Sequence, residues 1–188
     1  MKTINFVTTN KHKFEEVKQI LSEFNIEVKQ LEIEKIEPRG EMMKTIAKNA
    51  AELIASKVKL PVVLEDTGIF FEAYNNFPGP LPKFVFESIG YKGILKLLEG
   101  EKRDAYFKTV AAYCKPGEEA VLFEGISKGK INEKPVNLDK DVMPYERIFI
   151  PEEFEKTLSD LSRDEKNNIS HRSRAFRKFG RWFSEKKT

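Results

Sequence analysis

Apolar positions in the first half of this chain alternate between short unbroken runs and stripes of helical spacing. Ile4 to Thr8 has the pattern of a buried strand. Beyond Thr9 and Asn10, the residues Phe14, Val17, Ile20, Leu21 and Phe24 share one helical face, which predicts a helix from about Lys11 to Phe24. Asn10 suits its N-cap. Ile26 to Ile33 alternates apolar and polar residues, as a half-exposed strand does. The "IEPRGE" stretch is a Pro/Gly loop, and Met43, Ile46, Ala47, Ala50, Leu53 and Ile54 mark a second helix. In "VVLEDTGIFF" a buried strand runs into two adjacent acids, Glu65 and Asp66, with Thr67 and Gly68 expected to turn the chain.

The proline content of "NNFPGPLP" argues against any regular element there. Val85 to Leu98 is predicted helical with an interruption near Gly90. Tyr106 to Tyr113 and Ala120 to Lys130 read as an antiparallel hairpin across "KPGEE", and "RIFIP" follows a further loop. Ser162 and Glu165 have the spacing of a capping box. Ile169, Arg172, Phe176, Phe179 and Phe183 then predict a final helix. Alternating strands and helices followed by a hairpin indicate an α/β fold with a mixed sheet flanked by helices.

At 188 residues a single domain over residues 1–188, in two lobes, is expected, with enough chain for a real core. A net charge of +3 is too small to imply polyanion binding by itself. Cys114, the only cysteine, has no internal disulfide partner, which suits a reducing, cytoplasmic setting. No apolar run approaches the ~18 residues of a membrane span. "MKTINFVT" enters a strand pattern directly, so neither a signal peptide nor a membrane association is expected.

Three segments carry candidate chemistry. "TTNKHK" leads a strand into a helix N-terminus, where free N–H groups and the helix dipole favour an anion. Lys13 in the first turn would add charge, although the same pattern also describes a plain N-cap beside a solvated lysine. Glu65 and Asp66 either cap a turn or offer a hard-cation site of the kind Mg²⁺ uses, with Glu37 and Glu41 of "IEPRGE" as further acids. "EKNNISHRSRAFRKFGRW" places Lys166, His171 and Arg172 ahead of arginines interleaved with Phe176, Phe179 and Trp182. That segment could be a basic surface helix or a nucleic-acid or membrane face, but its aromatics fit one apolar stripe and read as core. A basic helix start, an acid pair and a His-Arg turn together are what a metal–polyphosphate site requires.

Thr8, Asn10 and Lys13 (T-x-N-x-x-K), "EDTG", "FPGP" and "EKNNISHRSRAF", in this order, resemble the inosine triphosphate pyrophosphatase family, which clears non-standard purine nucleoside triphosphates. The resemblance runs from Thr8 to Arg172. It implies an elongated two-lobed α/β fold with a central nucleotide cleft, a homodimer, and Mg²⁺-dependent cleavage of ITP, dITP or XTP to the monophosphate and pyrophosphate. By the same resemblance Thr8, Thr9, Asn10, Lys13 and Lys83 would hold phosphates. Glu37 and Asp66 would bind Mg²⁺, and Asp66 or Glu65 would serve the attacking water. Tyr145, Glu146, Phe149, Lys166, His171 and Arg172 would contact the nucleotide, with Asn49 and Thr67 as weaker candidates.

The chain departs from the family in two places. Thr9 replaces a glycine. In "MPYERIF", Tyr145, Ile148 and Phe149 fit the family pattern, while Met143 replaces a stacking aromatic, Glu146 an aspartate and Arg147 a proline. Two other readings compete with this one. The first is a septum-inhibitor-type pyrophosphatase acting on modified or pyrimidine triphosphates. The second is a basic nucleic-acid-binding module built on the final helix, although no stable nucleic-acid partner is expected for the enzyme.

Overall fold

The computed structural model describes residues 2–34 and 42–186. Glu37 and Glu41 therefore lie outside the described residues. The chain divides into two compact units. The first comprises Met1–Thr67, Thr109–Gly125 and His171–Thr188, and the second Gly68–Lys108 and Ile126–Ser170.

The first unit opens with β1 (Lys2–Val7), α1 (Lys11–Ser22) and β2 (Ile26–Leu31), followed by α2 (Met43–Val58). The Asn10 side chain accepts a hydrogen bond from the Lys13 N–H at 3.1 Å, which confirms the predicted cap. β1 pairs in parallel with β2 through Lys2↔Ile26 to Val7↔Leu31, and in parallel with β3 (Val62–Phe71) through Asn5↔Val62 and Phe6↔Val63. The unit also takes the end of β5 (Asp104–Cys114), the start of β6 (Val121–Ile131) and α5 (His171–Glu185). Its core joins Ile4 and Phe6 of β1, Val17, Ile20 and Leu21 of α1, Val63 of β3, and Ala175, Phe176 and Phe179 of α5. Burying each large apolar side chain contributes about 1.5–3 kcal/mol. Phe176 and Phe179 are wholly enclosed, so the aromatic stripe of the basic segment is core, as its spacing predicts. No helix among the described residues is long and apolar enough to cross a membrane.

The second unit contains β4 (Phe77–Gly79), α3 (Pro82–Leu97), β7 (Phe149–Pro151) and α4 (Arg163–Ile169). Its core gathers Ile69, Phe71, Val85, Ile94, Phe107, Ile131, Ile148 and Phe149. The seven strands form one mixed sheet in the order β2-β1-β3-β5-β6-β7, with β4 paired to β3. β3–β4 and β6–β7 are antiparallel. β5 and β6 are hydrogen-bonded neighbours joined by six residues, too few for a parallel crossover, so the predicted hairpin forms.

Three expectations are corrected. Thr67-Gly68 does not turn the chain: β3 continues unbroken to Phe71, and Phe77–Gly79 of the proline-rich loop pairs with it. Gly68 serves close approach instead, because a Cβ there would lie 2.5 Å from the Gly79 carbonyl oxygen and 2.8 Å from the Phe70 ring. The final helix is also two helices. Ser170 takes extended backbone (φ −68°, ψ 152°), ending α4 before α5 begins. At Gly90 (φ 57°, ψ −169°) α3 is interrupted where the sequence predicts it.

Candidate functional site

Within the first unit, the loop after β1 is fixed from both sides. The Thr8 N–H donates to the Leu31 carbonyl at 3.0 Å, and the Thr8 carbonyl accepts from the Gln30 side-chain amide at 3.0 Å. The Thr8 hydroxyl accepts from the Asn10 N–H at 3.1 Å, so Thr8 and Asn10 together shape the entry to α1. Thr8 is buried, Asn10 half-buried and Thr9 exposed.

From the first turn of α1, Lys13 extends to Glu65, with Nζ–Oε1 at 2.8 Å. Glu16, three residues on and hence on the same side of the helix, accepts from Arg172 Nη1 at 2.6 Å. Arg172 turns the rest of its fork on Glu65, Nε to Oε2 at 2.7 Å and Nη2 to Oε1 at 3.1 Å. Arg172 is 1 % exposed and Glu65 and Glu16 are each 2 % exposed, whereas the Lys13 side chain keeps 23 % of its surface in solvent. These contacts set two carboxylates against two cations, and the lysine end of the network reaches water. Burial opposes ionisation of Glu65, but the Arg172 and Lys13 charges and hydrogen bonds outweigh it and hold the carboxyl well below the usual carboxylate range. Burial likewise opposes the charge on Arg172, and Glu65 with Glu16 overcomes it, keeping the guanidinium firmly protonated.

This geometry pairs two of the expected site residues with each other. The Glu65 oxygens face Arg172 and Lys13. Arg172 directs three of its nitrogens to carboxylates and so organises the network from inside.

Asp66 is also buried but points away from this network, because side chains alternate along a strand. Val63, on the Glu65 side, belongs to the α1–α5 core; Val62 and Leu64, on the Asp66 side, do not. Thr67 returns to the Glu65 side, with its hydroxyl 3.3 Å from Glu65 Oε1 and 2.6 Å from the Thr109 hydroxyl. Asp66 supplies the hard oxygen donor that Mg²⁺ favours. No group of three or more His, Cys, Asp or Glu able to hold a metal occurs among the described residues, and Glu37, the other candidate ligand, lies outside them. His171 is buried at the start of α5. A Cβ at Gly125 of β6 would fall on the His171 carbonyl oxygen and 2.5 Å from the Ala175 nitrogen, so glycine lets the first turn of α5 press onto the strand. Asn49 is exposed on α2.

In the second unit, Lys166 of α4 donates to Glu146 Oε1 at 2.9 Å, and Glu146 is buried. The predicted capping box is present: Ser162 Oγ accepts from the Glu165 N–H at 3.2 Å, and Glu165 accepts from the Ser162 N–H at 2.8 Å. Phe149 is fully enclosed, its ring centroid 4.7 Å from that of Phe107, and belongs to the core of the unit. Tyr145 is buried, its hydroxyl donating to the Pro82 carbonyl at 3.1 Å. Burial and the nearby Tyr91 push its phenol above the ordinary tyrosine range. Lys83 is 87 % exposed, 3.9 Å from Glu87.

Sequence reasoning missed Glu16 and Thr109. The available signal for Glu16 was its place beside Val17 and one turn before Ile20, on the edge of the apolar stripe. Thr109 sits inside an apolar run with nothing to mark it.

A profile of the Ham1 family matches residues 4–182. A dITP/XTP pyrophosphatase from Methanopyrus kandleri is 42 % identical over 179 residues, covering 95 % of this chain and 94 % of its own length. Its counterpart from Methanosarcina mazei is 44 % identical over 184 residues, covering 97 % and 98 %. Among solved structures, a HAM1 protein from Coxiella burnetii superposes with a TM-score of 0.82 at 24 % identity, over 99 % of this chain and all of that one.

Proposed function

Because this chain belongs to the Ham1 family, we propose that it hydrolyses non-standard purine nucleoside triphosphates (dITP, XTP and ITP) to the monophosphate and pyrophosphate. The observation that carries this reading within the fold is Lys13. Its ammonium stands at a capped helix start, backed by a buried, ionised Glu65 and still reaching solvent. A fixed cation beside helix N–H groups is a ready site for a polyphosphate. Thr8 and Asn10 shape the same loop, and Thr9 is exposed on it.

Asp66 and Glu37 are the proposed Mg²⁺ ligands. Bound there, the ion would neutralise phosphate charge and lower the pKa of a coordinated water. Asp66 would be the carboxylate to orient that water and to accept its proton. Glu65 instead keeps Lys13 and Arg172 in position. Lys166 with Glu146 is the nucleotide-contacting pair of the second unit. His171, Thr67, Asn49 and Lys83 remain secondary candidates.

A cytoplasmic homodimer completes the proposal. Light scattering on the purified chain would test the dimer. The rival nucleic-acid reading loses its support, since Phe176 and Phe179 are core, Arg172 is buried, and Arg177 is paired to Glu23 at 2.8 Å.

The deciding experiment is a panel of dITP, XTP, ITP, dGTP, ATP and dUTP with Mg²⁺ or EDTA, separating pyrophosphate from orthophosphate. Preferential release of pyrophosphate from the first three is expected. Orthophosphate as the product, or equal rates on ATP, would overturn the reading. A preference for dUTP would favour the septum-inhibitor type.

A further inference from the structure

Lys166 and Glu146 approach to 2.9 Å with the Lys166 side chain only 14 % exposed, yet they come from separate segments. Glu146 belongs to the single helical turn Pro144–Arg147, and Lys166 to α4. Arg147, the neighbour of Glu146, joins the supports of both. Its Nε donates to the Asn137 carbonyl at 3.0 Å, and its Nη2 to the carbonyls of Leu138 (3.4 Å) and Lys140. Nη1 meets the Tyr91 hydroxyl at 3.4 Å, which itself donates to the Pro144 carbonyl at 2.8 Å.

The 137–140 segment so gathered is tied onward. The Asn137 side-chain amide donates to Ser159 Oγ at 2.9 Å and to Asp160 Oδ1 at 2.7 Å, and Lys140 Nζ to the Ser159 carbonyl at 2.8 Å. Asp160 closes a capping box with Thr157, and the chain enters α4 from Ser162 two residues later. A set of hydrogen bonds therefore runs from the turn carrying Glu146 to Ser159 and Asp160, from which the chain leads through Leu161 to the Ser162 cap of the helix carrying Lys166. Only a planar fork with several fixed donors spans this many carbonyls, and a lysine ammonium does not reproduce it.

We infer that Arg147 is a positioning residue that sets the Glu146–Lys166 pair and, through it, nucleotide recognition by Lys166. The inference rests on the proposed role of Lys166 for its kinetic consequence alone.

The test uses Arg147→Met in the full chain, with Arg147→Lys as the second variant should the first fail to fold. Acetylation of each lysine by acetic anhydride is followed by mass spectrometry. Lys166 should react about fivefold faster in the variant, the factor set by about one net hydrogen bond, while exposed Lys83 keeps its rate. With dITP, KM should rise by a similar factor while kcat stays within about twofold. Combining the variant with Glu146→Gln should add little to Glu146→Gln alone, because coupled residues are not additive. Unchanged Lys166 reactivity, equal acceleration at every lysine, or fully additive effects would each overturn the inference. A wild-type chain inactive on dITP would defeat the functional proposal yet leave the acetylation result to judge Arg147.

Discussion

Replacing Glu65 with Gln tests the buried network at its centre. The substitution keeps the shape of the side chain but removes the charge that faces Arg172 at 2.7 Å and Lys13 at 2.8 Å. Arg172 would keep Glu16 as partner, while one of two balancing negative charges disappears from a region that excludes water. Breaking one side of a buried ion pair costs about 3–5 kcal/mol, and at this chain length each kcal/mol lowers Tm by about 2–4 °C, giving a drop of about 6–20 °C. Calorimetry at pH 7 reads it directly.

The pH dependence supplies a second signature. The folded-state pKa of Glu65 lies below its ordinary value of 4.5, so the unfolded chain takes up the proton first as pH falls. The stabilisation is complete above about pH 4.5 and is lost below it as pH falls toward the folded pKa. The gap between wild type and Glu65→Gln should therefore narrow in acid. A Tm change under 2 °C at pH 7, or a gap that widens on acidification, would refute the account of Glu65 as the anchor of a buried network.

Asp66→Asn should lower kcat on dITP by about 10²–10⁴-fold, the range for loss of a catalytic proton acceptor, with Tm little changed; pyrophosphate release measures it. Gly125→Ala should cost about 1–3 kcal/mol by overpacking, since the new Cβ meets backbone atoms of α5 that cannot swing aside; urea denaturation checks it. Ser162→Ala should remove about 1 kcal/mol of capping from α4, read as faster amide exchange in Arg163–Ile169 with Lys13 and its surroundings unaffected.

What the sequence made legible was local. The Asn10 cap, the Ser162–Glu165 box and the Gly90 break each depend on residues within one turn of one another. Gly68 was misread because Thr-Gly is turn chemistry in isolation; its actual reason is the Gly79 carbonyl, which reaches it only once β4 folds back. Ser170 ends a helix inside a stretch whose apolar spacing runs on without a visible stop. Arg172 and Glu65 carried signals of charge, so both were found, but their pairing with each other, across 107 positions of sequence, was not legible. Glu16 was missed because a glutamate at the edge of an amphipathic helix ordinarily faces water.

The alternation along β3 also limits how this chain can change by insertion or deletion. Glu65 and Asp66 differ by one position and serve opposite faces of the sheet. A single-residue insertion or deletion between Val63 and Glu65 would reverse the facing of everything beyond it. Deleting Leu64 would leave both acids in the sequence, still adjacent, and bring Asp66 to the position that faces Arg172, whereas an insertion before Leu64 would bring Leu64 there. Substitution within the strand leaves this facing intact, whereas a change of length upstream of the acids keeps it only when the change is by an even number of residues.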